Sequence, residues 1–186
     1  MLDLSTQIDA SEWLKKGNIL IHPNEGVWGI GCDALNKKSV SRIYQLKKRP
    51  LDKSFIILCN NINTMNKFLM PLSKEEINFI DKMDQEPVTF LYKYNPEHTP
   101  NHLKNKSGKL AIRVSTHYHI NALLKTFNKP ITSTSANISG KKISSNIDEI
   151  IKEFDFEDVA FYNKPLGHLN KPTPIIDLHT KEIIRP

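Results

Sequence analysis

Residues 109–132 read KLAIRVSTHYHINALLKTFNKPIT, and this stretch decides the fold class. Lys109 to Val114 has the apolar, branched character of a strand, His117 to Phe127 reads as a helix, and Pro130 to Thr132 reads as a second, short strand. A strand, a helix and a strand in direct succession predict an α/β domain.

The pattern continues outward, less regularly. Upstream, residues 6–17 predict a short amphipathic helix carrying Ile8, Trp13 and Leu14, and Ile19-Leu20-Ile21 predicts a buried strand. Over residues 38–48, Val40, Ile43, Tyr44 and Leu46 recur at helical spacing, and Pro50 stops the helix. Ser54 to Cys59 is a further strand. Asn61 to Leu69 and Ser73 to Met83 read as helices, the latter opened by the capping box Ser73-Lys-Glu-Glu76. In Pro87 to Tyr92, Val88, Phe90 and Tyr92 alternate with Thr89 and Leu91, as a strand requires. Downstream, residues 146–154 predict a helix, and Val159 to Tyr162, Pro174 to Leu178 and Glu182 to Ile184 predict strands. Strands and helices do not alternate strictly, so the expectation is one domain over residues 1–186, with a twisted, mixed parallel and antiparallel sheet and flanking helices. Residues 94–108, with Pro96, Pro100 and Gly108, form a long loop of the kind that often serves a site.

The 186 residues carry a net charge of +6, with 39% apolar and 25% charged residues, which excludes disordered and collagen-like classes. No apolar run approaches the roughly 20 residues that cross a bilayer, and no basic flank precedes an apolar N-terminal stretch. A cytoplasmic location without a membrane partner is therefore expected. Cys32 and Cys59 are too few for a disulfide framework and lie in or beside apolar segments, so buried thiols are expected. The seven His show no ligand spacing, so no metal site is predicted. Neither Gly-x-Ser-x-Gly nor a P-loop is present, which argues against a serine hydrolase and against backbone cradling of a triphosphate.

Among 26 basic residues only Arg42, Arg49, Arg113 and Arg185 are Arg. In a lysine-rich chain each guanidinium is informative, because its planar fork matches phosphate or carboxylate. Lys47-Lys-Arg-Pro-Leu-Asp-Lys53 gathers cations at a predicted helix end stiffened by Pro50, an arrangement suited to a polyphosphate. Thr132 to Ser139 presents five hydroxyls and an amide just after an apolar strand, a common lining for a polar pocket at a sheet edge. Arg113, inside an apolar strand, needs an acidic partner from the protein or from a ligand. Gly26, Gly29 and Gly31, in the segment Asn24 to Asp33, suit a loop that brings backbone close to a ligand. An RNA-binding module is the rival reading of the charge, but no aromatic-rich signature accompanies it.

Together these segments resemble the YrdC-like family. His22-Pro-Asn-Glu-Gly-Val-Trp-Gly-Ile-Gly-Cys-Asp33 resembles its Tyr-Pro-Thr-Glu-x-Val-Tyr/Phe-Gly-Leu-Gly segment, and Arg42 to Lys53 its Lys-x-Arg-Pro region. Pro87-Val-Thr89 resembles its Gly-Pro-x-Thr strand, Leu110 to Val114 its Val-Ala-Val-Arg strand, and Ser133 to Gly140 its Ser-x-Asn loop. Pro172 to Asp177 and Ile184-Arg185-Pro186 resemble its closing strands. His22 stands where Tyr is usual, Asn24 where Thr is usual, Gly26 where a larger residue is usual and Glu86 where Gly is usual.

The resemblance implies a YrdC-like fold around a basic concave cavity. The implied enzyme is a nucleotidyltransferase that makes L-threonylcarbamoyladenylate and pyrophosphate from L-threonine, bicarbonate or CO2, and ATP. Its product feeds threonylcarbamoyladenosine modification of tRNA beside the anticodon. The resemblance also implies a catalytic set of Lys47, Arg49, Ser135 and Asn137, with Asn24, Lys53, Thr89, Arg113, Ser115 and Ser133 binding nucleotide or substrate. ATP is a substrate accompanied by Mg2+, with no metal held by the protein alone. Downstream tRNA threonylcarbamoyl-transfer proteins are the implied partners, and weak direct tRNA binding is compatible with the charge.

Overall fold

The computed structural model describes residues 1–83, 87–169 and 172–186, so Glu86 lies outside the described residues. The strands are β1 (Leu2–Leu4), β2 (Ile19–His22), β3 (Gly29–Gly31), β4 (Ile56–Cys59), β5 (Thr89–Lys93), β6 (Lys109–Val114), β7 (Ile131–Ser135), β8 (Val159–Tyr162), β9 (Ile175–Asp177) and β10 (Ile183–Arg185). The helices are α1 (Gln7–Lys15), α2 (Lys37–Leu46), α3 (Lys74–Lys82), α4 (Tyr118–Phe127) and α5 (Ile147–Glu153).

Local chemistry sets the helix ends. Ser73 and Glu76 complete the capping box of α3, each side chain accepting from the other's amide. At the end of α2, Lys48 adopts a left-handed conformation with φ 49°, and the Arg49 amide turns back to the Tyr44 carbonyl at 2.9 Å. That reversal aims the chain at β4. Ile62–Phe68 is a 3-10 helix, where the sequence suggested an ordinary one.

The sheet is mixed as expected, in the order β1-β8-β2-β3-β7-β4-β6-β5-β9-β10. β1 and β8, β2 and β8, β4 and β6, and β5 and β9 run parallel, while the remaining neighbours are antiparallel. Two strands depart from expectation. β1 is a short edge strand beside β8. β3 falls where a glycine loop was expected, because Gly29 and Gly31 pair with His22 and Leu20. A Cβ on Gly31 would sit 1.9 Å from the Thr132 carbonyl, and one on Gly29 would sit 2.5 Å from the Asn24 amide nitrogen. Those glycines admit neighbouring protein groups. The hydroxyl-rich segment also begins as strand, since β7 runs through Ser135.

Strand pleating divides the two faces. On one face, Leu20, Leu58, Ile131 and Tyr162 pack against Leu14 of α1 and Ile120, Leu123 and Phe127 of α4. On the other, Val40 and Ile43 of α2 and Ile150 of α5 cover Ile19, Ile21 and Ile30, while Met65 and Leu103 cover Ile57, Ile112 and Phe90. Leu103 therefore draws the 94–108 loop into the core of the second face, and the loop does not border the cleft described below. Both cysteines are buried, and burial raises each thiol to about 12.

Candidate active site

α1 and α4 cover part of their sheet face, and beyond them that face opens into a cleft of about 240 Å³. Its floor follows from register: Ile56 pairs with both Ala111 and Ser133, and all three line the cleft. Ser135 lies two residues beyond Ser133 and so shares its face. Asn24 and Gly26 close one side, Arg49, Ser54 and Phe55 another, and Thr173 and Arg185 a third. Gly26 is the glycine of its segment that does border the cleft.

Arg49, Arg113 and Arg185 all line this cleft, and no described lysine or carboxylate does. The fourth arginine, Arg42, is engaged elsewhere, forking onto Asp158 at 2.8 and 3.2 Å. Among the described residues, the scarce guanidiniums and not the abundant lysines thus set the charge of the cavity wall.

Each guanidinium is held in a defined pose. Arg49 donates to the Lys53 and Ser54 carbonyls at 2.9 and 3.0 Å and lies 5.3 Å from the Phe55 ring centre. Arg113, 5% exposed, donates through Nη1 to Thr173 Oγ1 at 2.9 Å and reaches Glu25 Oε2 at 3.2 Å. Its Nη2 approaches Asn24 Oδ1 at 3.5 Å, and Asn24 Nδ2 approaches Ser133 Oγ at 3.4 Å. Arg185 donates to the Thr173 carbonyl at 2.6 Å. The Nε atoms of Arg113 and Arg185 are buried without a hydrogen-bond partner among the described residues.

Glu25 is the carboxylate behind this wall. Burial alone would raise its pKa, but Arg113, a backbone amide and the Ser115 hydroxyl at 3.1 Å together hold it below the ordinary carboxylate range. The partner that Arg113 requires is therefore supplied by the protein. The segment after β8 crosses directly over it, with the Gly167 amide donating to Asn24 O and the Leu169 amide to Glu25 O. A Cβ on Gly167 would lie 2.6 Å from the Glu25 carbonyl oxygen, so this crossing needs glycine. His22, fully buried and held down to about 4 by desolvation, is a neutral ring beside the same cluster, with Nδ1 on the Pro23 carbonyl.

The residues singled out in the sequence take distinct places. Asn24, Arg49, Arg113, Ser133 and Ser135 line the cleft. Lys47 and Asn137 do not border it: the Lys47 ammonium lies on the Ser135 and Asn137 carbonyls, and Asn137 bonds within its own loop. Thr89 is buried, hydroxyl to hydroxyl with Thr173 at 3.2 Å, and Ser115 is buried on Glu25. Lys53 is exposed outside the cleft and contributes its carbonyl to Arg49. Sequence reasoning did not select Glu25, Thr173 or Arg185 for the site. Arg185 carried a usable signal as one of only four arginines.

Among the described residues, no group of three or more His, Cys, Asp or Glu could hold a metal ion, and no helix is long and apolar enough to cross a membrane.

Comparisons with known proteins bear on family and fold. The model of the Sua5/YciO/YrdC family, described as "Telomere recombination", matches residues 12–186. A threonylcarbamoyl-AMP synthase from Aliivibrio fischeri is 32% identical over 187 residues, covering 100% of this chain and 99% of its own. One from Acinetobacter baumannii is 33% identical over 183 residues, covering 96% of each. A crystal structure of P. abyssi Sua5 complexed with L-threonine has a TM-score of 0.85 at 21% identity, covering 95% of this chain and 54% of that one, a likeness of fold.

Proposed function

From the premise that the chain belongs to the Sua5/YciO/YrdC family, we propose that it is a threonylcarbamoyl-AMP synthase. The reaction joins L-threonine, bicarbonate or CO2, and MgATP to give L-threonylcarbamoyladenylate and pyrophosphate. The observation that carries this reading is the convergence of Arg49, Arg113 and Arg185 on a cleft also lined by Asn24, Ser133 and Ser135.

The chemistry asks for such a wall. The carboxylate of N-carboxylated threonine attacks the α-phosphorus of ATP, a bond forms from carboxylate oxygen to phosphorus, and pyrophosphate leaves with the electron pair of the broken P–O bond. Negative charge then rises on the phosphoryl oxygens and the leaving group. Positioned cations and in-line alignment supply most of the catalysis for such a transfer. Arg49 suits the triphosphate, because its guanidinium is anchored by two carbonyls and one aromatic face and still borders the cleft. Arg113 and Arg185, joined through Thr173, suit the anionic groups across the cleft. Ser133, Ser135 and Asn24 offer donors and acceptors to orient nucleotide and amino acid. Asn137, Thr89 and Ser115 support these groups from behind, and Lys53 can reach an extended phosphate only from outside the cleft.

Mg2+ enters as part of the substrate and neutralises phosphate charge. The product is a reactive mixed anhydride, so the reaction that consumes it transfers the threonylcarbamoyl group to tRNA through a partner protein, in the cytoplasm. Threonine-dependent release of pyrophosphate from MgATP and bicarbonate tests the assignment. Release that ignores threonine would overturn it.

A further inference from the structure

Lys47 is 1% exposed at the C-terminal end of α2. Its Nζ donates to the Ser135 and Asn137 carbonyls at 2.5 Å each, and its own carbonyl accepts from the Ser139 amide at 2.9 Å. One residue thus grips every second position of the segment from Ser135 to Ser139. The segment is also braced internally, with Ser135 Oγ donating to Asn137 Oδ1 at 2.7 Å and Asn137 Nδ2 donating to the Lys141 carbonyl at 2.6 Å. From α5, Glu153 accepts from the Ile138 amide at 3.4 Å and pairs with Lys141 at 2.6 Å. Within this set only Ser135 borders the cleft.

We propose that Lys47 is a positioning residue, whose protonated ammonium clamps the 135–139 loop by two backbone carbonyls so that Ser135 faces the cleft beside Arg49. The proposal rests on the adenylate-forming reading for its catalytic consequence, but the clamp itself requires no substrate. An ammonium has donors only, and its charge makes each bond to a carbonyl roughly twice as strong as a neutral one. The Ser135 and Asn137 carbonyls that turn onto Lys47 are also kept from presenting negative dipoles to a bound polyanion.

The clamp is sensitive to protonation. Burial first, and then the positive charge of Arg49, hold Lys47 down to about 7, against the opposing charge of Glu153 from α5. Phosphates entering the cleft favour the charged form. Polyanion binding and loop closure therefore reinforce one another, with uptake of a proton.

The test is amide hydrogen exchange on the ligand-free full chain, comparing wild type with Lys47→Met. Exchange at Asn137 and Ser139 should accelerate about tenfold or more, while the amides of α2 and β7 stay protected. Unchanged exchange at both positions overturns the clamp. A second measurement on wild type alone remains decisive if Lys47→Met does not fold. The Lys47 side-chain 15N signal should titrate near 7, and its midpoint should rise with inorganic pyrophosphate. Loss of that proton with exchange at Asn137 and Ser139 unchanged, once the intrinsic pH dependence of exchange is divided out, overturns the proposal. In kinetics, Lys47→Met should lower kcat with ATP KM within about threefold, whereas a tenfold or greater rise in KM with unaltered exchange would make Lys47 a direct phosphate ligand. Failure of the adenylate-forming reading would appear differently, as absent wild-type turnover with the exchange difference intact.

Discussion

Arg113 and Arg185 converge on a single residue between them: Arg113 donates to the Thr173 hydroxyl at 2.9 Å and Arg185 to the Thr173 carbonyl at 2.6 Å. Burial first, and then the positive charge of Arg185, disfavour the charge of Arg113. Glu25 compensates Arg113 at 3.2 Å, so the two guanidiniums keep an excess positive charge at the cleft. Such an arrangement is relieved by a bound anion.

Thr173→Val keeps the shape of the residue and removes the acceptor of Arg113 and the hydrogen-bond partner of the Thr89 hydroxyl. Hydrogen bonds to charged groups contribute about 1.5–3 kcal/mol, and a loss of that size is expected in denaturant unfolding. Thr173→Ser should restore most of it. Equal stability of the Val variant and wild type would show that the Thr173 hydroxyl does not hold Arg113 in place.

Glu25→Gln tests the carboxylate behind the wall. Removing one charge of a buried pair costs about 3–5 kcal/mol, so a large loss is expected at neutral pH. The native carboxyl titrates below its ordinary range, so its stabilisation is fully present above that range and is lost as pH falls through the native value. Stability of wild type measured against pH should therefore show an acid limb that flattens in the Gln variant. Parallel limbs in the two proteins would contradict the assignment.

Arg49 and Lys48 form a contrast between neighbours. Arg49→Ala should lower kcat/KM by roughly 10²–10³-fold, and Arg49→Lys should not rescue it, because an ammonium lacks the planar fork that reaches two carbonyls and sits over Phe55 while bordering the cleft. Lys48 is exposed and left-handed, so Lys48→Gly should stabilise the fold by about 1 kcal/mol and leave turnover unchanged. Steady-state kinetics and thermal unfolding of the three variants check both halves.

Most of the framework was legible because apolar periodicity reports burial directly: Val159–Tyr162, Lys109–Val114 and the helix after it emerge where expected, while the strand expected at 130–132 runs on through Ser135. β1 and β3 were not legible. Leu2-Asp3-Leu4 is too short to show a pattern, and β3 is glycine-rich because it faces a close carbonyl and two side chains from other segments. At the site, the scarcity of arginine was the informative signal, since three of four guanidiniums line the cleft. The roles of Lys47 and Arg49 were not separable by spacing. They lie two residues apart, but a left-handed Lys48 intervenes, turning one cation beneath the 135–139 loop and the other into the cleft. Glu25 went unselected because a lone Glu beside glycines carries no pattern until the strand with Arg113 is packed against it.

Mass detection of the product after incubating the full chain with L-threonine, bicarbonate and MgATP tests the adenylate-forming assignment. Threonylcarbamoyl-adenylate should accumulate with equimolar pyrophosphate, dependent on all three substrates and lowered 100-fold or more in Arg49→Ala, on the order of an oxyanion-donor loss. Pyrophosphate without the adenylate, or an adenylate yield unaffected by Arg49→Ala, would contradict that assignment.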